Sequence, residues 1–331
     1  QILPDGGHYQ RCPSIQLEVL RDLIDIRSAL AAAHRESLPA IQSSIDRMAP
    51  LARTLRHGDG RMALFNGSNA EDERDVGMIL AQSGARGRAL LSAPHSGFHR
   101  LAAGRTVVLA DLGAPPPPGA DRRAHAGTLS FEMCVGKDRL IVNCGHHGGD
   151  ETEWRMALAA TAAHSTVTVN DANSSEVRPA GGLGRRPQMV TCARREAEGN
   201  IWIEASHDGY EQTQGVIHRR ELYLTHDGAD FRGQDQLIPS NGKNEGGKFA
   251  VRFHLHPQVQ SSLVQGGTQV LLKLPTGRGW RFIVSGGTVS LEDSIYLGNR
   301  QDVRRSRQIV ISGELAPAET TVKWALHQEA K

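Results

Sequence analysis

The stretch TLSFEMCVGKDRLIVNCG, residues 128–145, contains two strand-like runs separated by a turn-forming glycine. In the first run an apolar residue occupies every second position, which is the period of a β-strand with one buried face. Similar runs recur from about residue 93 to near the C-terminus, separated by Gly, Asp, Asn or Pro, and no helical pattern alternates with them. The sequence therefore predicts antiparallel sheets stacked as a large sandwich.

Upstream of these runs the apolar period is close to 3.6 residues, which predicts helices over residues 15–30, 39–56 and 71–82. Pro13 stands where a first-turn proline is tolerated. Three such helices make a poor bundle on their own. We therefore expect them to be the tail of a larger helical domain or to pack on the β part.

The bulk composition excludes several classes of protein. With 39% hydrophobic and 22% charged residues the chain can bury a real core, and a length of 331 residues suggests two domains. A net charge of +2 and the lack of long Lys or Arg runs argue against nucleic-acid binding. No apolar stretch is long enough for a membrane span. The four cysteines are widely spaced and form no CxxC, which gives no disulfide framework.

The loop NDANSSEVRPAGGLGRRPQ, residues 170–188, is long, polar and rich in glycine. Loops of this length inside a compact domain are uncommon and are often functional. We therefore expect it to contribute to a site.

Ordered motifs along nearly the whole chain resemble the heparinase II/III family of polysaccharide lyases; they are LPDGGHYQRCPSIQLEVLRDLIDI, HAGTLSFEM, VNCG, TAAHSTVTVND, HDGY, HRRELYL, RFHLHP, GWRF and RQIVISG. The resemblance implies an α+β architecture, with the C-terminal helices of an incomplete α/α toroid over residues 1–92 and a large antiparallel β-sandwich over residues 93–331. Family members carry further toroid helices upstream. The resemblance therefore implies that this chain packs against a further N-terminal helical part of the same protein.

The resemblance further implies β-elimination on acidic, uronic-acid-containing polysaccharides such as glycosaminoglycans or alginate. A base removes the proton at C5, an acid protonates the departing O4, and a polar group neutralises the carboxylate. In the family, tyrosine and histidine usually serve as the base and the acid. The candidates for the acid–base roles are His8, Tyr9 and Tyr210.

Two positions depart from the pattern of the catalytic family members. Arg123 stands where relatives often have a histidine, and Ile15 lies where they carry tyrosine. Arginine cannot act as a base at neutral pH, but it can bind a carboxylate or sulfate with two hydrogen bonds. We therefore expect Arg123, with His146 and His147, to bind substrate. The alternative function is a non-catalytic carbohydrate-binding or assembly protein that kept the lyase fold.

His125, Asn143 and His164 match the family's zinc-ligand positions, which implies a structural zinc ion. Asn143 replaces the usual aspartate, and an amide oxygen is a poorer zinc ligand than a carboxylate. The alternative is a pair of polar histidines held by hydrogen bonds on strands. The sequence leaves the compartment, bacterial periplasm or cytoplasm, undetermined.

Overall fold

The computed structural model describes residues 1–149, 151–242, 246–299 and 302–329. Three helices open the chain: α1 (Pro13–Ala32), α2 (Pro39–Thr54) and α3 (Glu73–Gln82). They confirm the predicted helices, with ends that differ by a few residues. Proline in the first turn of α1 and α2 removes an amide that would have no helical partner. The Asp72 carboxylate caps α3 by accepting a hydrogen bond from the Arg74 amide.

Seventeen strands form two sheets, and every pairing between them in the described part of the chain is antiparallel. The first sheet contains β1 (Ser92–Ala93), β2 (Phe98–Ala103), β3 (Thr106–Asp111), β4 (Phe131–Val135), β5 (Asp138–Val142), β6 (Val167–Val169), β11 (Lys248–Leu255), β15 (Thr288–Tyr296) and β16 (Arg304–Glu314). The second contains β7 (Val190–Ala197), β8 (Asn200–His207), β9 (Val216–Leu224), β10 (Asp230–Pro239), β12 (Gln260–Val264), β13 (Gln269–Lys273), β14 (Gly279–Ser285) and β17 (Thr320–Gln328).

The strand order is β1-β2-β3-β4-β5-β11-β16-β15 in the first sheet, where β6 also pairs with β11, and β12-β13-β14-β17-β10-β9-β8-β7 in the second. Two short helices, α4 (Thr152–Ala159) and α5 (Glu211–Gln214), lie in connections. The predicted class, helices followed by a large antiparallel sandwich, is confirmed. The division at residues 92 and 93 into two domains stays a prediction.

The main core lies between the two sheets, and aromatic side chains fill its centre. Trp324 stacks on Phe131 with ring centroids 5.6 Å apart and packs edge-on against Phe253. Gly233 makes room for this indole, because a Cβ at Gly233 would lie 2.1 Å from a Trp324 ring atom. Alternation along each strand places these side chains on the inner face, which is why the period of two could be seen in the sequence.

A second core lies between the helices and the other face of the first sheet. Leu20 of α1 and Met48 of α2 pack with Phe98 and Leu109 of that sheet, and all four are nearly fully buried. The helices thus cover the sheet and form a third layer. None of the helices in the described ranges is long and apolar enough to cross a membrane.

Candidate functional site

Two histidines from different segments form a buried pair. His125 lies in the loop before β4, and His164 follows a short 3-10 turn before β6. Their Nδ1 and Nε2 atoms are 3.1 Å apart, and His164 Nδ1 lies 2.8 Å from the Ala160 carbonyl oxygen. A hydrogen on His164 Nδ1 satisfies that carbonyl and leaves Nε2 to accept from His125. The sequence placed the two histidines together, and the structure does the same.

Burial sets the charge state of this pair. It lowers the pKa of His164 to about 4 and, together with the neighbouring imidazoles, holds the pKa of His125 well below its ordinary value. Both rings are therefore neutral at pH 7. A neutral imidazole can accept a proton, which keeps acid–base chemistry open to His125.

Asn143 holds the segment that carries His164. Its side-chain Oδ1 accepts a hydrogen bond from the Ser165 backbone N–H at 2.9 Å, and its backbone N–H donates to Glu132 Oε1 at 2.8 Å. The second Glu132 oxygen accepts from His57 at 2.8 Å. Asn143 therefore links β5 to the turn before β6, and its amide oxygen already has a hydrogen-bond donor.

This donor set does not fit zinc well. The described residues contain no group of three His, Cys, Asp or Glu side chains that could hold a metal ion. His125 and His164 satisfy each other, and Asn143 offers an amide oxygen that a backbone N–H already uses. Zinc sites in proteins take histidine, thiolate or carboxylate ligands in a tetrahedral set.

A cavity of about 270 Å³ opens beside His125, and we call it the His125 pocket. It is lined by cationic groups, by backbone from glycine-rich loops and by a few small apolar side chains. Its charged or titratable lining residues are Arg122, Arg123, Arg155, Arg178, His125 and His146. The described lining includes no acidic side chain, and none of the four arginines forms an ion pair in the described ranges. The pocket is therefore strongly cationic.

The glycine-rich loop noted in the sequence forms one wall of this pocket through Arg178 and Gly182. The loop is anchored by Asp121, which accepts hydrogen bonds from the Leu183 amide at 3.1 Å and from Arg186 at 2.6 Å. Arg186, one of the basic residues at the end of the loop, thus stabilises the loop through its ion pair with Asp121. The anchor holds the loop that carries Arg178 and limits the entropy lost when a ligand binds.

Arg155, which lies on α4, lines the same pocket. The sequence gives no signal for this residue, because α4 is only two turns long and buries little beyond Leu158 and Ala159. His147, the third predicted substrate contact, stacks on Trp154 at 5.4 Å and lies 3.1 Å from the Glu151 carboxylate. It flanks the pocket beside His146.

The three predicted acid–base residues lie away from this pocket. Tyr210 is fully buried in the sandwich core, where its hydroxyl donates to the Val167 carbonyl at 2.6 Å and burial raises its pKa. A substrate in the pocket has no access to a phenol in that position. Tyr210 is therefore a hydrogen-bond donor of the core in this structure.

His8 is also buried, and burial lowers its pKa to about 4. Its backbone amide donates to the Gln16 side chain at 2.7 Å, which fixes the entrance to α1. Tyr9 lines a different cavity, of about 750 Å³, with His99 and Cys192. The structure thus groups Arg123, His125 and His146, and it does not place His8 or Tyr9 beside them. Their catalytic roles stay predictions.

A buried ionic cluster supports the pocket from the second sheet, and we call it the Asp235 cluster. Asp235 accepts two hydrogen bonds from Arg220 and one from His218 at 2.7 Å. Arg220 also donates to the carbonyl oxygens of Leu129 and Ser165, both at 2.8 Å. Ser165 follows His164, so the cluster ties the second sheet to the turn that carries the histidine pair.

Comparisons with known proteins show the family and the fold. The profile of the family described as Heparinase II/III-like, C-terminal matches residues 85–325. FtsZ-localized protein C of Caulobacter vibrioides (strain NA1000 / CB15N) is 32% identical over 342 residues, which cover 98% of this chain and 58% of that protein. The chain thus spans little more than half the length of this curated relative.

Solved structures share the fold over the whole chain. Heparan sulfate lyase HepC from Pedobacter heparinus superposes with a TM-score of 0.80 at 13% identity, over 100% of this chain and 54% of that chain. A crystal structure of heparinase III gives a TM-score of 0.79 at 12% identity, over 99% and 55%. At this level of identity the likeness shows the fold alone.

Proposed function

The chain belongs to the Heparinase II/III-like, C-terminal family, and from this membership we propose that it binds an acidic polysaccharide in the His125 pocket. The observation that carries the proposal is the cationic lining of that pocket. Arg122, Arg123, Arg155 and Arg178 surround one cavity, and its described lining offers them no carboxylate. Guanidinium groups bind carboxylate and sulfate groups through paired, charge-assisted hydrogen bonds.

The polarity of the pocket also fits a saccharide better than an apolar ligand. Its walls combine arginine, histidine and glycine backbone, and it lies between loops at the surface. Repeated negative charges along a polymer can engage several arginines at once. We therefore expect binding to weaken as salt rises, because exposed ion pairs are screened.

The proposed role is binding and assembly more than degradation. The curated relative is named for its localisation with FtsZ, and 98% of this chain aligns with that protein. Transferred to this chain, the name points to a protein that localises with FtsZ, in which the lyase fold serves to hold a glycan. The arginine at position 123 agrees with this role, since it can bind an anion and cannot take a proton.

Lyase activity is the second candidate, and one observation favours it. His125 lines the pocket next to Arg123, and its low pKa keeps the imidazole neutral. In β-elimination His125 would take the C5 proton while Arg123 neutralises the adjacent carboxylate, and the electron pair would expel O4 as a new C4–C5 double bond forms. The departing O4 needs an acid, and the described lining contains neither tyrosine nor a carboxylic acid. Binding is therefore the better supported function.

One experiment separates the two candidates. The natural full-length protein is incubated with heparan sulfate, alginate and a neutral glucan, and both binding and the ultraviolet absorbance of unsaturated uronate are followed. We expect binding of an acidic polymer without absorbance. The double variant R123Q/R178Q should lose that binding, whereas R305Q, which changes an exposed arginine remote in sequence from the pocket lining, should retain it.

Each other result has a definite meaning. Absorbance that rises with wild-type protein and disappears in H125A would establish the lyase. Failure to bind any acidic polymer, or equal binding by R123Q/R178Q and wild type, would overturn the proposed role of the pocket.

A further inference from the structure

A second cationic cavity lies on the helical side of the first sheet. It has a volume of about 600 Å³ and is formed by the end of α2, the end of α3 with the loop after it, and β2. Four guanidinium groups and one imidazole line it, from Arg53, Arg56, Arg88, Arg100 and His57. We call it the Arg100 pocket. It shares no lining residue with the His125 pocket.

Backbone carbonyls hold three of these arginines in place. Arg53 and Arg100 each donate two hydrogen bonds and Arg56 donates one, at 2.7–3.0 Å. The accepting carbonyls belong to Gly87 and Ala85 for Arg53, to Thr54 and Arg56 for Arg100, and to Gly60 for Arg56. A carbonyl orients a guanidinium group and leaves its positive charge uncompensated. The donors are therefore preorganised before any ligand arrives.

Among the described residues, no acidic side chain pairs with the four arginines, whereas His57 is paired with Glu132. The described lining of the Arg100 pocket contains no Asp or Glu, and none of the four arginines forms an ion pair within the described ranges. Burial, and for Arg53 also the charge of Arg56, lowers the pKa of Arg53 and Arg100. Each guanidinium still has N–H groups beyond those used by the carbonyls, because arginine carries five donors.

We propose that the Arg100 pocket binds a tetrahedral oxyanion, the phosphate or sulfate group of a small molecule or a free ion. Four guanidinium groups around one cavity favour a tetrahedral group, which offers three or four acceptor oxygens, over a carboxylate, which offers two. Such a group would accept hydrogen bonds from the remaining N–H donors and supply the counter-charge that the described lining of the pocket lacks. This site is independent of the proposed polysaccharide binding, since it uses other residues.

The test is calorimetric titration of the natural full-length protein at constant ionic strength set with sodium chloride. The probes are inorganic phosphate, inorganic sulfate and N-acetylglucosamine 6-sulfate, with unsulfated N-acetylglucosamine as the neutral control. Saturable binding of the oxyanions and no binding of N-acetylglucosamine are expected. Tighter binding of N-acetylglucosamine 6-sulfate than of inorganic sulfate would identify a sulfated sugar as the source of the group, and equal or weaker binding would identify the free ion.

Arg88 provides the cleanest variant, because it is exposed and forms no hydrogen bond or ion pair with the rest of the described chain. R88Q should weaken oxyanion binding about tenfold, which corresponds to the loss of one charge-assisted hydrogen bond. Arg86 is exposed two residues away and does not line the pocket, so R86Q should bind as wild type. Equal affinities of R88Q and wild type, or no oxyanion binding above chloride, would overturn the proposal.

Discussion

The His125 pocket and the Asp235 cluster both concentrate charged side chains, but only in the cluster do the charges cancel. Asp235 and Arg220 are almost completely buried, and their side chains satisfy one another and nearby backbone carbonyls. In the pocket, Arg123 and Arg178 are accessible and have no acidic partner in the described lining. The charges of the Asp235 cluster stabilise the fold, whereas those of the His125 pocket are available to bind a ligand.

The contrast follows from the free energy of burial. A charge removed from water is tolerated only when it is paired and hydrogen-bonded, so a buried ion without its partner is strongly destabilising. An exposed charge needs no internal partner and remains available to bind an anion. Pairing and burial together therefore separate structural arginines from binding arginines, although all of them look alike in the sequence.

Removal of the buried carboxylate should have the largest effect. Asp235→Ala leaves Arg220 buried without its counter-ion, and we expect the free energy of unfolding to fall by about 3–5 kcal/mol. Urea unfolding followed by circular dichroism measures this loss. Asp25→Ala on the exposed face of α1 is the matched control and should change stability little. A similar small change in both variants would contradict the structural role of the cluster.

Acid should break the same cluster. Burial alone would raise the pKa of Asp235, but the charge of Arg220 and the hydrogen bond with His218 hold that pKa well below its ordinary value. The carboxylate therefore contributes stability that is present above the unfolded-state pKa of about 3.9 and is lost as the pH falls toward the folded-state value. Unfolding free energies between pH 6 and pH 2 should fall more steeply for wild type than for Asp235→Asn. Parallel curves would show that Asp235 does not titrate as a stabilising group.

Charge reversal in the pocket should affect binding and spare the fold. We expect R123E/R178E to weaken binding of an acidic polysaccharide about 100-fold, about 2.7 kcal/mol, and to reduce its dependence on salt. Unfolding free energy should change by less than about 0.5 kcal/mol, because neither guanidinium is buried in the core. R305E is the matched control. A loss of stability without a loss of affinity would show that Arg123 and Arg178 stabilise the fold and do not bind the polysaccharide.

Tyr210→Phe tests a predicted catalytic residue that lies in the core. The substitution removes the donor to the Val167 carbonyl, so stability should fall by about 1 kcal/mol. Polysaccharide binding and any release of unsaturated product should stay at wild-type levels. A change in turnover without a change in stability would instead assign Tyr210 to catalysis.

Removal of metal ions should have the smallest effect: we expect a chelator to leave the stability of the protein unchanged. Because His125 and His164 satisfy each other and Asn143 already accepts a hydrogen bond, we expect protein purified without chelator to carry no stoichiometric zinc. Elemental analysis and melting curves with and without chelator measure this. A zinc ion that His125→Ala removes would contradict the expectation and support the family-derived ligand set.

Much of the fold could be predicted because the pattern is local. A strand with one face in the core alternates visibly, as in β8 and β9, and the helices that cover the sheet show their apolar stripe. The elements that were missed lack this pattern. Strand β7 is exposed along most of its length, and helix α4 is short and buries few side chains.

The site was predicted in part. The family motifs led to Arg123, His125, Asn143 and His164, and the glycine-rich loop pointed to the wall that carries Arg178. Nothing in the sequence associated Arg155 with them, since it lies on a helix that was not predicted. Tyr210 looked available in the sequence because a tyrosine after a strand can face a cleft or the core equally well.

The sequence by itself determined the succession of helices and strands, the sandwich class and the histidines that lie together, since periodicity and motif order are encoded along the chain. Only the tertiary structure decided which charges are compensated. Arg220 and Arg219 are neighbours in β9, yet strand alternation points Arg220 into the core toward Asp235 and leaves Arg219 partly exposed near Glu204. The role of an arginine depends on burial and on partners far away in sequence, and those exist only after the two sheets have packed.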